Sequence, residues 1–287
     1  MARTKSAPRD ESRTAAAGAA PVVVGFDGSE EGRDGLELAR VLCEIRGAPC
    51  IVATVEDGDP EPIFAQARKA LSGLAVETRL VGTRSPGRML AEFAAREGAA
   101  TLVVGAPHRR TGAGRALLGS VAEHLLHHSP CEVAIAPRGY GDTSLSHVGL
   151  GQISVAFDGT AESRRALRHA EDLAEASAAT IQIVVAQDPL VTGIEAEAGE
   201  AGGGEGILDQ AVNSVRDSLA VDGKTVEPEG RETVTHVAAA IAAACDGDVV
   251  VCGSRPPRDR VLLASVTKRV IEVSRCPVLI VPPSPGE

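Results

Sequence analysis

Two short segments of this chain combine residue types that could hold a polar small molecule. The first is Pro21-Val-Val-Val-Gly-Phe-Asp-Gly-Ser29, an apolar run that ends in a turn carrying Asp27. The second runs from Gly105 to Ser120 and reads Gly-Ala-Pro-His-Arg-Arg-Thr-Gly-Ala-Gly-Arg-Ala-Leu-Leu-Gly-Ser. The Asp27 turn lacks the G-x-G-x-x-G pattern of a dinucleotide turn, and its carboxylate would repel a pyrophosphate. It suits accepting hydrogen bonds from a ribose hydroxyl or an adenine amino group. On residue type alone, an Asx turn or a helix N-cap is the better-supported role for Asp27. In the second segment, Gly119-Ser120 opens a predicted helix, whose free N–H groups and dipole favour an anion. Glycines let a backbone come close to a ligand, and Arg109, Arg110 and Arg115 add positive charge. A competing use of the same amides is a capping box, Ser120-Val-Ala-Glu123.

Other constellations lead to less. His124 and His128 share a helix face at metal-ligand spacing, but no acidic or cysteine partner is placed with them, and a solvated histidine face is expected. His108 and His236 stand alone, so there is no hydrolytic triad. The six cysteines form no CxxC pair. Most lie in apolar runs, as reduced core thiols of a cytoplasmic protein would. No targeting segment is evident, and the apolar run Val237–Cys245 is far short of the ~18 residues of a membrane span. A net charge of −10 argues against broad nucleic-acid or anionic-membrane surfaces.

The elements that must position these segments occur twice. Ile153-Ser-Val-Ala-Phe-Asp158-Gly-Thr160 repeats the opening run, and Ser274-Arg-Cys-Pro-Val-Leu-Ile-Val-Pro282 repeats the close at Ser129–Pro137. Matching both ends points to a duplication, with a net insertion of 14 residues in the second copy. The acidic, Gly-rich stretch Gly193–Gly206 is its expected source, as a mobile loop. The boundaries then fall at a disordered tail 1–20, a first domain 21–137, a linker 138–151, a second domain 152–283 and a tail 284–287.

In the first copy, strands are expected at Val22–Phe26, Cys50–Val55, Val76–Val81, Thr101–Gly105 and Glu132–Ala136. Helices are expected at Glu31–Arg46, Pro62–Gly73, Pro86–Glu97 and Ser120–His128, with Gly47 and Gly98 as C-caps. The second copy repeats the strands near Ile153–Phe157, Thr180–Ala186, Thr225–Pro228, Val249–Gly253 and Val278–Val281. Alternating strands and helices imply two tandem Rossmann-like α/β domains. Each would be a five-stranded parallel doubly wound sheet of order 3-2-1-4-5, with helices on both faces. Apolar residues at 44% with aromatics at only 2% suit such buried sheets.

VVVGFDGSEE, the LVVGA strand end, the GS before a helix and the HSPCEVAIAP close together resemble a universal stress protein domain. The resemblance covers nearly all of 21–137 and 152–283. In the nucleotide-binding branch of that family, the loop after strand four reads G-x2-G-x9-G-[S/T], and ATP lies between it and the aspartate after strand one. The resemblance implies ATP, with Mg²⁺ only alongside it, at Asp27, Gly105, Gly119, Ser120 and Val121. The counterparts in the second copy are Asp158, Gly253 and Ser265.

The first copy departs from the pattern with His108 at the second glycine and a loop one residue longer. The second has Pro256 and Ala264 at glycine positions and a loop two residues shorter. The resemblance also implies that Glu132–Ala136 and Val278–Val281 pair within the chain as a pseudo-dimer, and it leaves open whether two chains associate. The expected function is a cytoplasmic stress-response regulatory module with no catalytic set. The alternative is a nucleotide-free scaffold working through unidentified protein partners.

Overall fold

Runs of Val and Ile meeting glycine-bearing turns build ten strands, and amphipathic segments between them build eight helices among the described residues. The computed structural model describes residues 19–56, 58–82, 84–106, 119–142, 149–186, 204–226, 234–245, 247–254 and 263–283. The first half contains β1 (Val22–Gly25), α1 (Glu30–Arg46), β2 (Cys50–Val55), α2 (Glu61–Ala70) and β3 (Val76–Gly82). It continues with α3 (Pro86–Glu97), β4 (Thr101–Gly105), α4 (Ser120–His128) and β5 (Glu132–Ala136). The second half contains β6 (Gln152–Phe157), α5 (Ala161–Ser177), β7 (Thr180–Ala186), α6 (Gly204–Ser214) and β8 (Val221–Val226). It closes with α7 (Val234–Ala244), β9 (Val249–Gly253), α8 (Leu263–Val273) and β10 (Val278–Val281).

All strands join one sheet of order β3-β2-β1-β4-β5-β10-β9-β6-β7-β8. Each half is parallel and has the expected 3-2-1-4-5 order, read inward from opposite ends of the sheet. The halves meet where β5 and β10 pair antiparallel, with Val278 opposite Ile135, Leu279 opposite Ala134 and Ile280 opposite Val133. The expected pairing of these two segments is therefore present, and it leaves neither apolar last strand as an open edge.

Strand alternation sends side chains to two cores. Val22 and Val24 face one core with Leu36, Leu42, Leu167 and Leu279. Val23 faces the other with Leu90, Leu125, Ile241 and Val270. Both cores run through the seam, because each contains residues of both halves. Gly47 and Gly98 end α1 and α3 with φ of 58° and 59°, the left-handed C-cap that a side chain disfavours.

The linker is anchored at both described ends. Asp34 on α1, largely buried, accepts hydrogen bonds from Gly139 N at 2.8 Å and Gly141 N at 2.9 Å. This holds the 3-10 turn Tyr140–Asp142, and Tyr140 and Leu150 are both buried. At the position of Asp34, the second half carries Arg165, equally buried. It donates to the carbonyls of Pro282 at 3.0 Å and Ser254 at 3.3 Å. The same helix position thus ties down the segment after the last strand in both halves, once as acceptor and once as donor.

Two expectations need correction. The third strand of the second half lies at Val221–Val226, about four residues before Thr225–Pro228. As an edge strand carrying Asp222, Gly223 and Lys224, it lacks an apolar run, and Leu208 packs directly over Gly223. The expected loop Gly193–Gly206 ends early, since α6 already begins at Gly204. The rest of that stretch, like residues 1–18 and 284–287 of the two tails, lies outside the described residues.

A charge cluster fastens the seam. Glu132, on β5, is buried. It accepts from Arg46 Nη2 at 2.7 Å and from the Thr101 hydroxyl at 2.9 Å, and His169 of α5 approaches at 3.5 Å. Burial opposes its charge, but Arg46 first, then His169 and Thr101, outweigh that and hold the carboxyl below its ordinary value. A depressed folded-state value means that the ionised form stabilises the fold fully above the unfolded value of about 4.3, and that this contribution is lost as pH falls below it. Urea unfolding should find Glu132→Gln destabilised by about 3 kcal/mol at neutral pH, with the deficit shrinking near pH 3. A deficit independent of pH would mean that the charge contributes nothing.

Candidate functional site

The carboxyl ends of β1 and β4 open on one cavity of about 750 Å³, within the range of small-molecule sites. Asp27, Gly105, Gly119, Ser120 and Val121 all line it. Five residues separated by up to 94 positions in sequence thus meet at the switch point of a doubly wound sheet, where ligand crevices form. Ser29, Glu31 and Gly32 from the start of α1, and Pro86 and Leu90 from α3, complete much of the wall. These five were not singled out from sequence. Ser29 and Glu31 belonged to the visible opening run, but nothing in residue type marked Pro86 or Leu90 as wall residues.

Asp27 does two things. Its Oδ1 accepts from Ser29 N at 3.0 Å, which makes the Asx turn, and Ser29 in turn caps α1 by accepting from Gly32 N at 3.0 Å. The N-cap is therefore Ser29 and not Asp27. Asp27 remains exposed, on the rim of the cavity.

Across the cavity, α4 begins at Ser120 with Gly119 in extended backbone, φ −71° and ψ 159°. Among the described residues, no side chain caps this end. The capping box suggested by Ser120 and Glu123 does not form. Ser120 is already inside the helix, and the Glu123 carboxylate instead pairs with Lys268 of α8 at 2.7 Å, which holds it below its ordinary value. The first amides of α4, with the positive end of its dipole, therefore lie at the cavity wall with no side-chain acceptor among the described residues. Arg109, Arg110, Arg115 and His108 lie outside the described residues.

Gly105 has a reason to be glycine whatever enters the cavity. A Cβ there would stand 1.8 Å from the Glu31 carbonyl oxygen, because the end of β4 packs against the first turn of α1. Gly253 is in the same position against Glu162, at 2.4 Å. A side chain at Gly32 would meet the Phe26 ring at 2.7 Å.

The second half has a smaller cavity of about 140 Å³ at the same place. Asp158 and Gly253 line it. Asp158 repeats the Asx turn, accepting from Thr160 N at 3.1 Å, and Thr160 caps α5. Gly25, Gly32 and Ala122 of the first half correspond to Ala156, Ser163 and Thr267, and the larger residues line and narrow the space. Helix α8 opens at Leu263, two residues ahead of Ser265, so Ser265 lies within the first turn. Its side chain, and Pro256, lie outside the described residues.

His124 and His128 stack at 4.4 Å, and His128 Nδ1 bonds the His124 carbonyl at 3.0 Å. Burial, then His128 and Arg88, lower the pKa of His124. Among the described residues no group of three metal-ligating side chains occurs. All six cysteines are free thiols, four of them buried. No helix among the described residues is long and apolar enough to cross a membrane.

With this geometry in view, the profile of the universal stress protein family matches residues 63–137 and 150–282. The chain belongs to the universal stress protein family. Universal stress protein Rv2319c of Mycobacterium tuberculosis is 27% identical over 298 aligned positions, which span 91% of this chain and 99% of that protein. The crystal structure of a universal stress protein from Archaeoglobus fulgidus aligns with a TM-score of 0.65 at 16% identity, covering 92% of this chain and 99% of that one. A functionally unknown protein from Pseudomonas aeruginosa aligns with a TM-score of 0.63 at 17% identity, covering 93% of each chain. These two likenesses establish a shared fold that extends over both universal stress protein segments. Replacing the tightly packed glycines should destabilise that fold in graded fashion, by about 2 kcal/mol or more for Gly105→Ala and by less for Gly253→Ala. Chemical denaturation of the two variants reads the order directly.

Proposed function

We propose that this universal stress protein is a regulatory module whose first half binds an adenine nucleotide and whose second half does not. The observation that carries the proposal is the amino end of α4, which no described side chain caps, facing Asp27 across a cavity of about 750 Å³. On this reading the amides at Gly119, Ser120 and Val121 receive phosphate oxygens, and the free capacity of Asp27 receives the adenosine hydroxyls. Gly105 lets the floor of the cavity lie flat. Mg²⁺ enters only with the nucleotide, on its phosphates. The volume of about 140 Å³ in the second half is below the usual small-molecule range, which supports a site there that has lost the nucleotide.

The module is read as a cytoplasmic stress-response sensor. ATP turnover, where it occurs, is slow and incidental: among the described residues, the hydroxyls beside the cavity carboxylates, Ser29 and Thr160, are already engaged as the N-caps of α1 and α5. Protein partners read the occupied or empty state. The domain limits 21–137 and 152–283 are part of this reading, with support from the repeated strand order and the anchored linker. The scaffold reading, in which partners bind without nucleotide, draws on the narrowed second cavity.

Isothermal titration of the intact chain with ATP and Mg²⁺ tests the proposal. Gly119→Asp is the sharpest variant. Aspartate is a favoured N-cap, so stability should hold or rise, while its carboxylate occupies the amides and repels phosphate. ATP affinity should fall at least tenfold. Absence of binding at millimolar ATP, or unchanged affinity in Gly119→Asp, would overturn the nucleotide assignment.

A further inference from the structure

The cavity of the second half is built by both halves of the chain. Beside Asp158, Gly253 and Thr267, it is lined by Leu126 and His127 from the last turn of α4. Among the described residues, nothing from the second half lines the cavity of the first. The seam thus gives α4 two duties, with its first turn at one cavity and its last turn at the other. The Glu123–Lys268 pair ties α4 to α8, whose Val270 forms part of the second cavity.

This space differs from the first cavity in being far smaller and in being enclosed by the last turn of α4. Its floor is apolar, with Phe157, Ile241 and Val270 all buried. Burial, then the neighbouring Cys245 and Cys276, push the Cys252 thiol up, so it stays an uncharged apolar group. Two acidic residues, Asp158 and Glu162, are among its lining, as Asp27 and Glu31 are in the first cavity. Thr160 caps α5 by accepting from Ser163 N at 3.3 Å, as Ser29 caps α1 in the first half, so the end of α5 offers no free amides to an anion. The volume of about 140 Å³ is of the same order as the ~150 Å³ apolar cavities that admit benzene.

We propose that this cavity is a composite binding site for a small amine with a compact apolar body, completed by α4 of the first half. The apolar body fills the floor against Ile241 and Val270. The ammonium group meets Asp158 and Glu162 at the rim, where a carboxylate–ammonium pair partly removed from water is worth more than one in bulk solvent. The inference does not depend on nucleotide binding in the first half.

Titration of the intact chain with benzylamine, followed by backbone amide NMR, tests it, with toluene as the uncharged probe of similar shape. Saturable shifts are expected at Asp158, Gly253 and Thr267, and also at Leu126 and His127, with benzylamine at least tenfold tighter than toluene. Asp158→Asn, a change at an exposed residue, should weaken benzylamine about tenfold and leave toluene unchanged. Leu126→Ala should weaken both. Ile241→Trp, which fills the floor, should abolish both.

Absence of saturable shifts in this set would overturn the site. Equal effects of Asp158→Asn on both probes would overturn the amine assignment, and unchanged affinities in Leu126→Ala would overturn the composite construction. ATP, followed at residues 27–32 and 119–122, should not displace benzylamine. Competitive displacement would overturn the proposal by making the space a nucleotide site, whereas failure of ATP to bind anywhere would leave the amine result standing.

Discussion

The antiparallel pairing of β5 with β10 is the contact on which the rest of the molecule depends. Each half alone would end in a strand of Val, Ala, Ile and Leu residues with one row of backbone groups unpaired. Such an edge recruits another strand. Placing the two last strands against each other satisfies both rows at once and fuses two five-stranded sheets into one of ten. It also makes the two cores continuous, because side chains on either face of the seam touch neighbours from both halves.

The pairing has a specific partner in the buried charge cluster. Glu132 sits in the seam strand, where an apolar residue would be ordinary, and it is kept ionised by Arg46 of its own half and His169 of the other. Its counterpart in the second half is Pro277, which has no charge and cannot donate a backbone hydrogen bond. The seam is therefore symmetric in its backbone and asymmetric in its charges. The same asymmetry appears at Asp34 and Arg165, which occupy matching places on α1 and α5 and hold down matching segments with opposite hydrogen-bonding roles. Duplicated halves can diverge this way because each contact needs only one donor and one acceptor, and either side can supply either.

The two cavities show how far that divergence has gone. Three small residues of the first cavity, Gly25, Gly32 and Ala122, are replaced at the matching positions of the second by Ala156, Ser163 and Thr267. Each exchange adds one or two heavy atoms at the cavity wall. Since packed walls do not yield freely, the added atoms come out of the open volume. Helix α4 then encloses the second cavity from across the seam, a role its repeat-mate α8 does not play toward the first among the described residues.

The architecture was legible in sequence because it rests on local periodicity and on repetition. Val-rich runs alternating with amphipathic segments leave little choice but a doubly wound parallel sheet, and the repeated opening and closing motifs located both copies. Legibility stopped where polarity replaced hydrophobicity, as at β8, whose Asp222-Gly-Lys centre carries no strand signal and is held by its neighbour β7 and the helix packed over it. For the candidate site, residue type could name Asp27, Gly105 and Gly119 but could not decide their uses. Whether Asp27 caps a helix, whether Ser120 and Glu123 form a box, and whether Gly105 serves a ligand or a neighbouring helix all turn on distances between segments far apart in the chain. The sequence alone determined which elements form and in what order, because those follow from short-range pattern. Only the tertiary structure decided that Ser29 takes the cap, that Lys268 draws Glu123 away from its own helix end, and that α4 borders two cavities. Each of those outcomes is a competition between a local partner and a distant one, settled when the sheet brings the distant one within reach.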